Sequence, residues 1–205
     1  MAIDIHLLRR SWYFDTLERQ FPRAMEVIRP QITAYLEELR AWEQDPGAYA
    51  RSAERTGRIN ERFLALLKAL VETHLEPVYA TRDVVLPGAA LDRDVALALA
   101  AERPLVPRGL VFELARQRPD QVPPAVPLEM RGLFDGSLRF EADDVVSVKV
   151  KPVYLGMIGA RGAYLAVMGD PAGARVELER TLALDPGFAP ARAALDRLRA
   201  TPPSR

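Results

Sequence analysis

Apolar positions recur at helical spacing along most of the chain, and short runs of β-favouring residues break in at intervals. Ile3-Asp4-Ile5-His6-Leu7-Leu8 alternates and predicts a first strand. A helix follows from Ser11 through Trp12, Tyr13, Phe14 and Leu17, with the Ser11 hydroxyl as its cap. Phe21-Pro22 interrupts it. After Pro30, the spacing of Ile32, Tyr35, Leu36, Leu39 and Trp42 predicts a longer helix, which stops at the turn Asp45-Pro46-Gly47. From Ala48 to Leu75 the pattern is helical again, and Ile59, Phe63, Leu66, Leu67, Leu70 and Val71 form its apolar face. The earlier half, around Arg51 to Arg62, is polar nearly all round and predicts a segment that projects from the body.

Pro77–Thr81 reads as a short buried strand, Leu91–Ala101 as a helix, and Gly109–Leu114, within Leu105–Leu114, as a third strand. Strands separated by helices predict an α/β fold: a small parallel sheet flanked by helices, joined by right-handed crossovers. Arg116–Pro127 carries four prolines and reads as an irregular linker. Val145–Val150 is a strand or the entry to a helix. Tyr154–Met168, Ala172–Leu184 and Ala189–Ala200 are helical by pattern, separated by Gly169-Asp170-Pro171 and Asp185-Pro186-Gly187, with Thr201–Arg205 frayed. The expected organisation is an α/β domain over 1–127, a connecting segment over 128–150, and a C-terminal helical hairpin with a capping helix over 151–205. The chain begins almost inside its first expected strand, which predicts that the native protein extends upstream.

The 205 residues are 49% hydrophobic, enough to build a core. Lys plus Arg equals Asp plus Glu at 28 each, so the electrostatic footprint of a general nucleic-acid binder is missing. Cysteine is absent, which excludes disulfides, thiolate metal sites and thiol nucleophiles. No apolar run approaches the ~18–20 residues of a membrane span, and the N-terminus lacks the layout of a signal peptide.

Candidate chemistry is sparse. His6 and His74 are the only histidines, and no ligands cluster near either in sequence. Asp92 with Asp94 stand near an expected helix start, and Asp143 with Asp144 before a helix or a strand, where capping explains both pairs. Gly156 to Gly162 is glycine-rich but lies inside an apolar helical pattern, so close helix packing accounts for it. The motifs of a phosphate loop, a dinucleotide fold and a serine hydrolase are all missing. The chain therefore yields no catalytic residue, no metal set and no cofactor. One cluster remains as a ligand- or acceptor-binding candidate. Arg9, Arg10, Trp12 and Tyr13 follow the first expected strand, and Thr81, Arg82 and Asp83 follow the second. Both groups would then share the carboxyl edge of the sheet, where open α/β folds bind ligands. Aromatic faces beside arginine suit a sugar or a peptide. The plain alternative is that the rings pack into the core and the arginines are solvated.

Ile158–Pro186 resembles one tetratricopeptide repeat. Gly162, Leu165, Gly169, Ala174, Leu178 and Pro186 fall at the repeat's small, large and turn positions, while Ile158 replaces its usual tryptophan and Thr181 a usual alanine. A single repeat has little concave surface, so a buttressing role stands beside peptide binding. A wider resemblance rests on four segments in order: a strand running into Leu7-Leu8-Arg9-Arg10-Ser11-Trp12-Tyr13-Phe14-Asp15-Thr16-Leu17, the strands Pro77–Thr81 and Gly109–Phe112, and the helical hairpin. Together they resemble the region after the last membrane span in large bacterial membrane proteins related to the transmembrane O-mannosyltransferases, which are glycosyltransferases of the GT-C type. The resemblance implies an extracytoplasmic, periplasmic accessory domain, without catalysis of its own, that recognises an acceptor protein or peptide or supports the membrane module of the same polypeptide. Two other readings stand beside it: a freestanding tetratricopeptide-type adaptor, and an α/β domain that binds or converts a small molecule.

Overall fold

The computed structural model describes residues 3–73, 77–86, 93–135, 137, 139 and 141–200. His74, Asp92 and the frayed end expected over Thr201–Arg205 lie outside the described residues.

The first expected strand does not form. The Asp4 side chain accepts from the His6 N–H at 2.8 Å, and the Asp4 carbonyl accepts from Leu7 and Leu8. These local bonds wind the segment into a 3-10 turn over Leu7–Arg9, and Leu8 drops into the core. A short polar side chain that bonds its own backbone competes with a sheet ladder in this way.

Five helices follow: α1 (Ser11–Gln20), α2 (Pro22–Val27), α3 (Arg29–Gln44), α4 (Pro46–Ala50) and α5 (Ala53–Glu72). Ser11 does not cap α1 with its own oxygen. Its N–H and hydroxyl both donate to the Glu43 carboxylate of α3, at 2.9 and 2.6 Å. A carboxylate at a helix N-terminus also meets the favourable end of the helix dipole. Prolines open α2, α3 and α4, where a missing N–H costs nothing. The Asp45 side chain caps α4 through the Ala48 N–H, and Ser52 caps α5 through the Arg55 N–H. The expected faces of α3 and α5 are present: Ile32, Tyr35 and Leu39 are buried, as are Phe63, Leu66, Leu67 and Leu70. Each such side chain contributes about 1.5–3 kcal/mol by leaving water. The first turns of α5 are exposed, yet its polar half is tied to the body by Arg58 and Arg62, which bond to α3.

The sheet has three strands, β1 (Val78–Thr81), β2 (Leu105–Arg108) and β3 (Val111–Leu114), in the order β1-β3-β2. Both pairings are antiparallel, which corrects the expected parallel sheet. The cause is Gly109. Its φ of +63° permits a two-residue turn between Arg108 and Val111, so Leu105–Leu114 folds back as a hairpin. Pro107, which has no N–H to donate, sits on the edge strand β2. Between β1 and β2 lie the single turn α6 (Arg82–Val85) and α7 (Arg93–Glu102).

The chain ends in a helical region. A wide turn over Val146–Val150, preceded by an Asp144 side-chain cap on the Val146 N–H, leads into α8 (Lys151–Val167). Then come α9 (Pro171–Leu184) and α10 (Ala189–Ala200). Helix α8 packs on α9, α9 on α10, and α8 also touches β2. Met157 of α8 belongs to the main core, while Leu178, Ala191, Ala194 and Leu195 form a second, smaller one.

Candidate functional site

Helices α3 and α5 pack on each other, and α4 packs on both. Among these helices lies a cavity of about 360 Å³. Tyr35, Leu39 and Trp42 line it from α3, Pro46, Tyr49 and Ala50 from α4, and Thr56, Ile59, Asn60 and Phe63 from α5. Arg9 completes the wall. Small-molecule sites commonly fall within about 300–1,000 Å³ and combine an apolar lining with a few polar groups.

Hydrogen bonds fix the walls. The Tyr49 hydroxyl donates to a Glu38 carboxylate oxygen at 2.7 Å, and the Arg58 guanidinium meets the other at 3.2 Å. The Tyr49 hydroxyl bond, followed by the charge of Arg58, holds the Glu38 carboxyl below its usual range. Thr56 donates its hydroxyl proton to the Tyr49 carbonyl at 2.9 Å, linking α5 to α4. Burial pushes the Tyr35 phenol up to about 12, with Arg9 opposing the shift and Glu43 adding to it. A cation and a carboxylate thus act on the same phenol with opposite signs. The Arg9 guanidinium lies over the Phe63 ring, 4.8 Å from its centroid.

The sequence cluster is only partly assembled. Arg9 and Asp83 both line a second cavity, with His6 and Val84, of about 20 Å³, room for one water rather than a substrate. The premise of a shared carboxyl edge fails, because the first strand, which was to place Arg9 to Tyr13 there, is absent. Arg10 is exposed. Trp12 is 56% exposed and meets Tyr13 edge to face at 5.8 Å. The Tyr13 hydroxyl accepts from the Asp4 N–H at 3.3 Å, so it serves the N-terminal turn. Thr81 is exposed at the end of β1. Arg82 lies on α8: a Cβ at Gly156 would come within 2.7 Å of its Nε. Trp42, Tyr49 and Asn60 are cavity residues that sequence reasoning missed. Trp42 was legible as a position on the α3 face, but its spacing gave no sign of open space beyond it.

Gly162 and Ala174 are buried where α8 and α9 cross, and Leu178 packs on Gly162. Among the described residues no group of three or more acidic or histidine side chains is placed to hold a metal. No helix among them is long and apolar enough to cross a membrane. No protein-family model, no curated protein and no solved structure matches this chain.

Proposed function

We propose that the chain is an extracytoplasmic accessory domain of a membrane protein O-glycosyltransferase, carrying acceptor recognition or support of the membrane catalytic module and no catalytic site of its own. The observation that carries the reading is that three of the four segments bearing the resemblance, Pro77–Thr81, Gly109–Phe112 and the helical hairpin, are joined in space. Strand β1 pairs directly with β3, Ala80 opposite Phe112. Arg82, next after β1, lies on Gly156 of the C-terminal hairpin. The close approach at Gly162 supports a hairpin of tetratricopeptide type, and the share of α8 in the main core supports a buttressing role for it. A freestanding adaptor is the second reading, favoured by Val167 and Val176, which stand exposed on α8 and α9.

Fractionating the native cells and blotting with an antibody raised against this chain tests the proposal. A membrane-bound band much larger than 22.8 kDa, with its epitope open to protease from the periplasmic side, is expected. A soluble band near 22.8 kDa overturns the proposal and leaves the adaptor.

A further inference from the structure

We infer that the cavity between α3 and α5 is a binding site for a neutral pyranose, one or two sugar units in size. The inference goes beyond the proposed function and does not depend on it. The lining carries an aromatic residue from each of three helices, Trp42, Tyr49 and Phe63; guanidinium groups lie over the Phe63 ring (Arg9) and the Tyr49 ring (Arg55), so Trp42 is the ring the inference relies on. Ring faces carry negative charge density and suit the weakly positive C–H faces of a pyranose. A purely hydrocarbon slot would suit an aliphatic chain better, but Trp42, Thr56 and Asn60 are among the residues that line this one. The Asn60 amide offers both donors and an acceptor, and the Trp42 indole N–H is a donor. Neither has a protein partner among the described residues. The Thr56 hydroxyl has spent its proton on the Tyr49 carbonyl and presents lone pairs. An aliphatic ligand would shut these groups away from water unpaired, at a cost that hydroxyls on a ligand remove.

Charge argues for a neutral occupant. A quaternary ammonium seeks an aromatic cage without a competing cation, and Arg9 stands in this wall. An anion drawn to Arg9 would meet the carboxylate of Glu43, which is held nearby by Ser11. The wall is also set before any ligand arrives, because Tyr49 is bonded to Glu38 and Thr56 to Tyr49, so little ordering cost remains for binding.

The chain contains two tryptophans, so Trp12→Phe leaves Trp42 as the sole indole reporter in the cavity. This single-tryptophan variant is titrated with the methyl pyranosides of glucose, mannose and galactose, with maltose, with a polyproline peptide and with choline. At least one sugar should change Trp42 emission saturably. Asn60→Ala, an exposed position that leaves the fold and its circular dichroism intact, should weaken that sugar about tenfold. The inference is overturned if no sugar saturates, if Asn60→Ala binds as well as its parent, or if the polyproline peptide or choline saturates the signal in place of a sugar. Cell fractionation decides the proposed function separately, so either can fail without the other.

Discussion

Two glycines in one helix should respond in opposite directions to the same substitution. A Cβ at Gly162 of α8 would lie 2.8 Å from Leu178 Cγ, 3.0 Å from its Cδ2 and 3.1 Å from the carbonyl oxygen of Ala174. Leu178 is 1% exposed and Ala174 is fully buried, so neither the side chain nor the backbone has room to retreat. A Cβ at Gly159 would meet only Phe188 Cε1 at 3.7 Å, an ordinary contact. Alanine is favoured over glycine inside a helix by about 1 kcal/mol. Overpacking a tight contact costs about 1–3 kcal/mol. Gly159→Ala should therefore stabilise by about 0.5–1 kcal/mol, and Gly162→Ala should destabilise by about 1 kcal/mol. In a chain of this size each kcal/mol moves the thermal midpoint by about 2–4 °C, so the two variants should separate clearly. Urea unfolding of both, followed by far-ultraviolet circular dichroism, gives the comparison. A Gly162→Ala protein as stable as Gly159→Ala would refute the close α8–α9 approach.

Glu38→Gln should cost about 1–2 kcal/mol at neutral pH, because it removes a charge-assisted acceptor from Tyr49 and Arg58. The Glu38 carboxyl is held below its usual value of 4.5, so its stabilisation is complete above that value and is lost as pH falls through the lowered one. The gap between parent and variant should then close in acid; a constant gap in urea midpoints down to the acid limb would contradict this. Tyr35 has the opposite sign: its phenol is raised from 10.0 to about 12, so its contribution is complete below 10.0 and is lost as pH climbs toward 12. Tyr35→Phe should flatten part of the alkaline decline in stability, and an unchanged slope above pH 10.0 would show that the buried phenol is not its source.

The helices were legible because their apolar stripes are long. Ile32 to Trp42 and Ile59 to Val71 each repeat over several turns, and tertiary packing needs nothing else from them. The sheet was illegible for two local reasons. Asp4 satisfies the amide of His6 with its own carboxylate, so an alternating segment becomes a turn. Gly109, which reads as the first residue of a strand over Gly109–Leu114, has a positive φ and instead turns the chain between two strands, Leu105–Arg108 and Val111–Leu114. Once the hairpin exists, no helix separates β2 from β3, and the parallel crossover has nothing to join. β1 and β2 run the same way on either side of β3, so Thr81 and Arg108 end at one edge, both opposite Val111, while β3 ends at the other; the strand that was to bring Arg9 to Tyr13 to that edge does not exist. For the candidate site, Arg9 was visible as a charge beside aromatics, but its neighbours were not. Helical spacing shows which way Tyr35 and Trp42 face; it does not show whether the space opposite is filled.

An open space of about 360 Å³ beside Trp42 carries an energetic cost. Cavity creation in protein cores costs about 24 cal/mol per Å³, so a sealed void of this volume would cost about 9 kcal/mol, comparable to the whole stability of a domain. A sealed void is therefore not a stable solution, and the surroundings would relax to fill it. Two features oppose that collapse here. The cavity opens at Asn60 and Thr56, both exposed, so water replaces vacuum along its polar side. The walls are also held apart by bonds that closure would break: Glu43 is anchored by Ser11, Glu38 by Tyr49 and Arg58, and Thr56 by the Tyr49 carbonyl. Each buried polar group left unpaired would cost about 1–3 kcal/mol, so the frame resists a rearrangement that apolar packing alone would favour. The polar half of α5, which looks in sequence like a segment projecting into water, is the part that keeps the cavity open.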